Sequence, residues 1–556
     1  MRRALILFCG TVALIGFAQL SSPQAPRYDI LIKNARILDG TGNPDFPADI
    51  GIRGDTIVAL GRLDAAQAGR ILDATGLMVA PGFLDMHSHA DRALASNELE
   101  RRQAHNLVTQ GITTVVFGPD GRNIIWPIAQ EMAAFRNPGV ALNVVPMVGH
   151  GTVRRQVMGD DFRRAATPEE IEQMKELVRQ GMEAGAWGLG AGPEYNPGIY
   201  STTEELIALA TVAAAYDGFY YAHQRSQSRL PKWQLPSMVK GPTLDGIDGI
   251  KETIRIAAEA GIRAVGSHIK AKGRSSWGRA FMDTKLVELA RAQGHQVYLD
   301  HYPYETYGGS PASIFPRWAL AGGNEGLRNR LGEPETRKLI EKDLEFLIDL
   351  NGGPGRLIIV AHVDPALVGK TVAEVARMRG KSMVETLIEF ARNATPDIPA
   401  GALIRPLGMS EYDNDQYIRQ DYTATCTDAG VPSQARRRPG LHPRYYGAFP
   451  RKIARYVKQR RVITLPFAIR SMTGLAAQII GLPDRGYIRE GYKADIVIFD
   501  FENLRDRATV MDPFQYSEGI KYVLVNGQFT LDNGKLTGAL PGVVLDRTLV
   551  KKSAGD

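Results

Sequence analysis

Apolar positions in this chain follow two regimes. From Tyr28 to about Ala80, runs such as ILIKNARILDG, DIGIRGDTIVALG and ILDATGLMVAPG break at Asp-Gly, Gly-Asp and Thr-Gly pairs. Such short runs between turn pairs read as strands. The far end looks alike in GYIREGYKADIVIFD, IKYVLVNGQFTL and GKLTGALPGVVL. Between them, apolar strand-length runs alternate with helical stretches. FLDMHSH leads into ELERRQAHNLVTQG, and TTVVFGPDG into IIWPIAQEMAAF. ALNVVPMVGHG precedes the helical PEEIEQMKELVRQGMEAG, and WGLGAGPEY, FYYAHQR, IRAVGSHIK, HQVYLDHYPY and TATCTDAG continue the series. Apolar strands in βα order signal a buried parallel sheet, and eight of them favour closure over an open sheet.

The expected architecture is therefore α/β: a (β/α)8 TIM-like barrel over about 81–482, with a small β-sandwich domain built from both termini, 26–80 and 483–556. A long insertion at about 310–420 interrupts the barrel and contains GRLIIVAHVD, a candidate ninth strand.

Residues 1–25 read as a signal peptide. Arg2 and Arg3 form a basic start, Ala4 to Leu20 is largely apolar, and Gly16-Phe17-Ala18 offers a small-x-small cleavage site. Pro26 disfavours cleavage after Ala25, and an uncleaved anchor is the alternative. The expectation is an exported protein, periplasmic or secreted, with no stable membrane insertion once the leader is removed. Only Cys426 would remain after cleavage, which excludes an internal disulfide. The net charge of +7 is mild for 556 residues. Arg436–Arg438 and Lys458–Arg461 are short basic clusters without an accompanying nucleic-acid motif, so they read as solvated surface and no nucleic-acid partner is expected.

The chemistry gathers at the strand ends. Side chains two apart on a strand share a face, so His87 and His89 can hold one metal ion or a close pair. The second strand ends with Asp120, the third with His150, the fifth with His223, the sixth with His268 and Lys270, the seventh with Tyr302 and Tyr304, and the last with Asp428. The chain has only 10 histidines, and half of them fall at these ends. A parallel barrel places its chemistry there. A bound metal lowers the pKa of water to about 7 and polarises an amide carbonyl, which neutral water attacks poorly. A nearby carboxylate can take the proton and return it to the leaving nitrogen. Asp428 suits that role or a ligand's, and position does not separate the two.

These motifs, PGFLDMHSHAD, GITTVVFGPDG, VGHGTVR, PEYNPGIYSTTEEL, AHQR, SHIK, DHYPY, GMSEYDND, HPRYYGAFPR and IRSMTGLAAQIIGLPDRGYIREGYKADIVIFD, cover nearly all the chain after the leader. Together the sequence resembles the amidohydrolase superfamily, and within it the N-acyl-D-amino-acid deacylases. The resemblance implies an amidohydrolase-type barrel and a metal-dependent hydrolase. It would cleave a small-molecule N-acyl amino acid, of D configuration, to a carboxylate and the free amino acid. It implies one or two divalent ions, zinc first, with manganese or cobalt as alternatives. His223 and His268 would hold the tighter ion. His87, His89 and Asp428 would line a weaker second site, with Asp428 as catalytic base and acid. Lys270, Arg444 and Tyr304 would engage the substrate carboxylate, Tyr195 would sit beside the acyl group, and His150 joins the substrate contacts.

Two departures stand out. The family ends its second strand in a Gly-Asn-Cys-Gly turn whose cysteine is a ligand; here the turn is Gly118-Pro119-Asp120-Gly121. Asp120 either replaces the thiolate with a carboxylate or is a turn residue only. The segment between Arg225 and Ile247 also looks longer than the usual linker, so it could reshape the pocket. The rival readings are a same-fold enzyme acting on dipeptides or cyclic amides, and a binding protein that has lost catalysis. The sequence leaves oligomeric state open.

Overall fold

Two strand systems carry the molecule. The computed structural model describes residues 27–549 except 232, 240–242, 434–436 and 438. The expected leader and most of the Arg436–Arg438 cluster lie outside them. Among the described residues no helix is long and apolar enough to cross a membrane.

The first system is parallel and follows chain order. Phe83–Asp85 pairs with Ile112–Val116, which pairs with Asn143–Val145. Val148–Gly149 then pairs with Gly188–Ala191, followed by Phe219–Ala222, Arg263–Gly266, Val297–His301 and Thr423–Thr425. The expected third strand is thus split at Pro146-Met147, its two halves serving different neighbours. Proline has no amide hydrogen to give a ladder, so a break there is natural. Hydrogen bonds join the C-terminal end of the last of these strands, and the segment that follows it, to the segment that follows the first: Met86 N–H donates to Thr425 O at 3.4 Å, Asp428 N–H to His87 O at 2.8 Å, and His89 N–H to Ala429 O at 2.9 Å. Every residue of Ile112–Val116 and Phe219–Ala222 is buried, as continuous apolar strands require.

Helices follow most strands. The Pro168–Glu183 helix begins with a reciprocal cap, Thr167 accepting from Glu170 N–H while the Glu170 side chain accepts from Thr167 N–H. The expected single helix after the first strand is instead two short turns, Leu99–Arg102 and His105–Val108, separated at Ala104, whose φ is 45°.

The second system is one nine-stranded sheet that joins both ends of the chain. Ile496–Phe499 pairs antiparallel with Met78–Pro81, and Tyr28–Ile37 pairs with Phe46–Arg53, Ala68–Asp73 and Met78–Pro81.

GRLIIVAHVD is not a ninth strand of the parallel series. Leu357–His362 pairs antiparallel with Ala402–Pro406 in a separate two-stranded sheet. With the helices around it, this segment builds its own apolar core from Ile314 to Ile404. It also roofs the site described next.

Candidate metal centre and active site

Three residues at the strand ends hold a left-handed backbone without being glycine: Asp120 (φ 55°), His268 (φ 34°) and Asp428 (φ 51°). Such conformations are costly for residues with a Cβ and persist where the surroundings impose them, often at functional sites. Aspartate tolerates the region better than most. Glycines make room for the Asp120 turn: a Cβ at Gly192 would lie 2.4 Å from Asp120 O, and one at Gly149 2.7 Å from Gly121.

The side chains converge. Asp120 Oδ1 lies 3.5 Å from His223 Nδ1 and 3.8 Å from both His268 Nε2 and His87 Nε2. Its other oxygen is 3.6 Å from His89 Nε2. Asp428 Oδ1 is 3.1 Å from His89 Nε2 and 3.8 Å from His87 Nε2. Two triads of possible ligand atoms result, His87–Asp120–His268 and His87–His89–Asp428. His87 belongs to both. Among the described residues Asp120 Oδ1 is buried without a hydrogen-bond partner, although three imidazole nitrogens surround it. A buried carboxylate oxygen in that state is costly unless something positive meets it. Imidazole and carboxylate donors converging at these distances fit one or two divalent ions of the zinc class.

A second layer orients these donors. His223 Nε2 meets Glu194 Oε2 at 2.8 Å, leaving Nδ1 toward Asp120. His87 Nδ1 meets Ser267 Oγ at 2.7 Å, leaving Nε2 toward both aspartates. His268 Nδ1 is 2.8 Å from Lys270 Nζ and 3.2 Å from Gln227 Nε2, while its backbone N–H donates to Asp300 at 2.7 Å. Asp85 accepts from Thr427 N–H and Oγ1, tying the first strand to the turn that carries Asp428. Such outer contacts fix ring orientation and raise ligand basicity.

Burial sets much of the electrostatics. It pushes the Asp85 carboxyl up to about 7 and Asp300 up to about 6, and drives His87 down to about 3. Burial also opposes charge on His89, but the Asp428 hydrogen bond and the nearby carboxylates outweigh it and raise that imidazole to about 9. Asp428 is held well below the usual carboxylate range against its burial, chiefly by the Arg444 guanidinium. Arg444 Nη1 donates to Asp428 Oδ2 at 2.6 Å, and its buried Nε has no partner among the described residues.

The cluster opens into a cavity of about 810 Å³. Lys270, Arg444 and Tyr195 line it, with the Tyr195 ring 4.2 Å from that of His223. Two expected contacts do not line it. His150 is buried away from the cluster, at the start of the His150–Met158 helix, with Nε2 2.8 Å from Glu205 Oε1. Tyr304 packs behind Arg451 and Gly447 with its hydroxyl 3.4 Å from Pro443 O; Tyr302 lines the cavity instead. Alternation along a strand explains the pair poorly, because the chain leaves the strand at His301. The sequence reading missed Glu194, Ser267, Gln227, Asp85 and Asp300. Asp85 and Asp300 carried a signal, since a carboxylate inside an apolar strand must have partners.

The Amidohydrolase family model matches residues 70–261 and 438–531. With the near full-length likeness below, the chain belongs to the amidohydrolase family. It is 32% identical over 553 residues to the D-aminoacylase of Alcaligenes xylosoxydans xylosoxydans, covering 95% of this chain and 100% of that protein. It is 32% identical to the N-acyl-D-aspartate deacylase of the same organism, covering 93% and 95%. A D-aminoacylase crystal structure superposes with a TM-score of 0.72 at 30% identity, covering 94% of this chain and 100% of that one. An N-acyl-D-glutamate deacylase from Bordetella bronchiseptica, complexed with zinc and a phosphonate mimic of the tetrahedral intermediate, gives 0.72 at 29%, covering 93% and 99%.

Proposed function

We propose that this protein is a metal-dependent hydrolase of N-acyl amino acids of D configuration, releasing a carboxylate and the free amino acid. The observation that carries the reading is the pair of interlocked triads sharing His87, with Asp428 at one corner and Arg444 beside it. The near full-length similarity to D-aminoacylase supports the substrate class.

His223, His268, His87, His89, Asp120 and Asp428 would hold one or two zinc ions. A divalent ion there supplies Lewis acidity toward the amide carbonyl and lowers the pKa of water. The protein's own groups do the rest. Asp428, kept ionised, accepts the proton of the attacking water and returns it to the leaving nitrogen. The Nε of Arg444, without a partner among the described residues, and Lys270 on the same cavity, suit a substrate carboxylate through charge-assisted hydrogen bonds. Tyr195 supplies an aromatic wall beside the reacting amide.

The same reading takes the eight parallel strands as one closed (β/α)8 barrel, supported by the contacts between Met86–His89 and Thr425–Ala429. It takes the two chain ends as one small β-sandwich domain, supported by the pairing of Ile496–Phe499 with Met78–Pro81. Export is part of the proposal and rests on the leader-like first 25 residues; N-terminal sequencing of the protein recovered from outside the cytoplasm tests it. The function is tested by a panel of N-acetyl D- and L-amino acids, dipeptides and cyclic amides, with metal analysis of the same sample. Turnover confined to N-acetyl-D-amino acids is expected. A preference for dipeptides or cyclic amides, or inertness of zinc-replete protein, would overturn it.

A further inference from the structure

We infer that the substrate's acyl group is a long apolar chain rather than acetyl; this rests on the N-acyl amino acid reading above. The first argument is size. N-acetyl-tryptophan, with the bulkiest natural side chain, has about 18 non-hydrogen atoms and, at roughly 20 Å³ each against water's ~30 Å³ share, fills about 360 Å³. The cavity holds about 810 Å³. The remainder, about 450 Å³, exceeds what any natural side chain adds, and the six further carbons of an octanoyl chain, about 120 Å³ at the same roughly 20 Å³ each, fit within it.

The second argument is chemistry. Away from the metal-type donors the walls are Trp233, Leu235 and Met238 from the segment after the fifth strand, and Ile314, Phe315 and Trp318 from the insertion. They lie on the two longest connections between the parallel strands, 222–263 and 301–423. Apolar walls of this kind reward apolar ligand surface.

The third argument is that the roof is fixed. Buried Asp343 accepts from Ser237 N–H at 2.8 Å, Ser237 Oγ at 2.6 Å and Trp318 Nε1 at 2.9 Å. One carboxylate thereby ties both wall segments together. Lys272 and Arg317 also line the cavity, and the Lys272 ammonium lies 4.4 Å above the Tyr307 ring. An acyl chain ending in a carboxylate is therefore the competing ligand.

The experiment measures kcat/KM for N-acetyl-, N-butanoyl- and N-octanoyl-D-leucine and for the ω-carboxy-octanoyl analogue. A rise of at least ~30-fold from acetyl to octanoyl is expected, below the full transfer value of six buried methylenes. Trp318→Ala should cut the octanoyl-to-acetyl ratio about tenfold, and Trp318→Phe should keep most of it. A flat or falling series with acetyl substrates still hydrolysed overturns the inference alone, as does preference for the ω-carboxy chain. If no N-acyl amino acid is hydrolysed, the functional reading fails and this inference with it.

Discussion

Asp120→Asn isolates the charge of the residue in the turn that ends the second parallel strand. Asparagine keeps the size and tolerates the left-handed backbone at φ 55°, so the turn should survive. What is lost is a negative charge whose Oδ1 lies 3.5–3.8 Å from three imidazole nitrogens. Two unit charges 4 Å apart interact by about 4 kcal/mol at an effective dielectric near 20. Against a divalent ion held among those nitrogens that is a floor, and it corresponds to about three powers of ten in Kd. Zinc affinity, measured by competition with a chelator of known affinity, should therefore fall on the order of 10³-fold. Asp120→Ala is a poorer probe, because it adds roughly 1–2 kcal/mol of backbone strain to the lost charge. Asp120→Cys bears the same strain but regains a soft ligand. It should favour zinc over manganese and cobalt more strongly than the wild type does. Zinc affinity of Asp120→Asn within a few-fold of wild type would make Asp120 a turn residue and refute the reasoning.

Asp428→Asn should retain bound metal and lose about 10²–10⁴ in kcat, the range for a general acid–base group; a rate within a few-fold of wild type would remove Asp428 from that role. Arg444→Met should weaken hydrolysis of free-acid substrates by about 1.5–3 kcal/mol more than that of their amides. The paired comparison cancels the shared loss of the Asp428 contact, and equal losses would make Arg444 structural. Lys452, buried between Thr425 Oγ1 and Ser471 Oγ, has its ammonium pKa pushed down to about 7 by burial. Its folded value lies below the unfolded value near 10.4, so the unfolded chain binds the extra proton between them and stability falls as pH drops from ~10 to ~7. Lys452→Met should therefore raise the melting temperature, by roughly 1–3 kcal/mol of stability at pH 7. The gain should vanish toward pH 10, and a pH-independent difference in thermal scans would contradict this.

The parallel strands and the pairing of the two chain ends were legible because continuous and broken apolar runs have different periods. The metal-type donors were legible because five histidines and two aspartates fall where those runs end. What the sequence could not convey was direction once the backbone left a strand. Tyr302 and Tyr304 follow His301, where no ladder fixes which side faces the cavity. His150 falls at a strand end like the others, yet it opens a helix and turns to Glu205. GRLIIVAHVD has the composition of a barrel strand, and only its antiparallel partner 402–406, distant in sequence, reveals that it belongs to the insertion. Glu194 was hidden for a different reason: a carboxylate's role toward His223 depends on a contact 29 residues away.

The central claim is that the convergent donors make this chain a metal-dependent hydrolase of D-configured N-acyl amino acids. Titrating zinc into chelator-stripped protein while following amino acid release from N-acyl-D-leucine and N-acyl-L-leucine tests it most directly. Release from the D substrate should rise from near zero with the first equivalent of zinc, and the L substrate should remain essentially untouched. Undiminished hydrolysis by the stripped protein, or no preference between the two, would contradict the account.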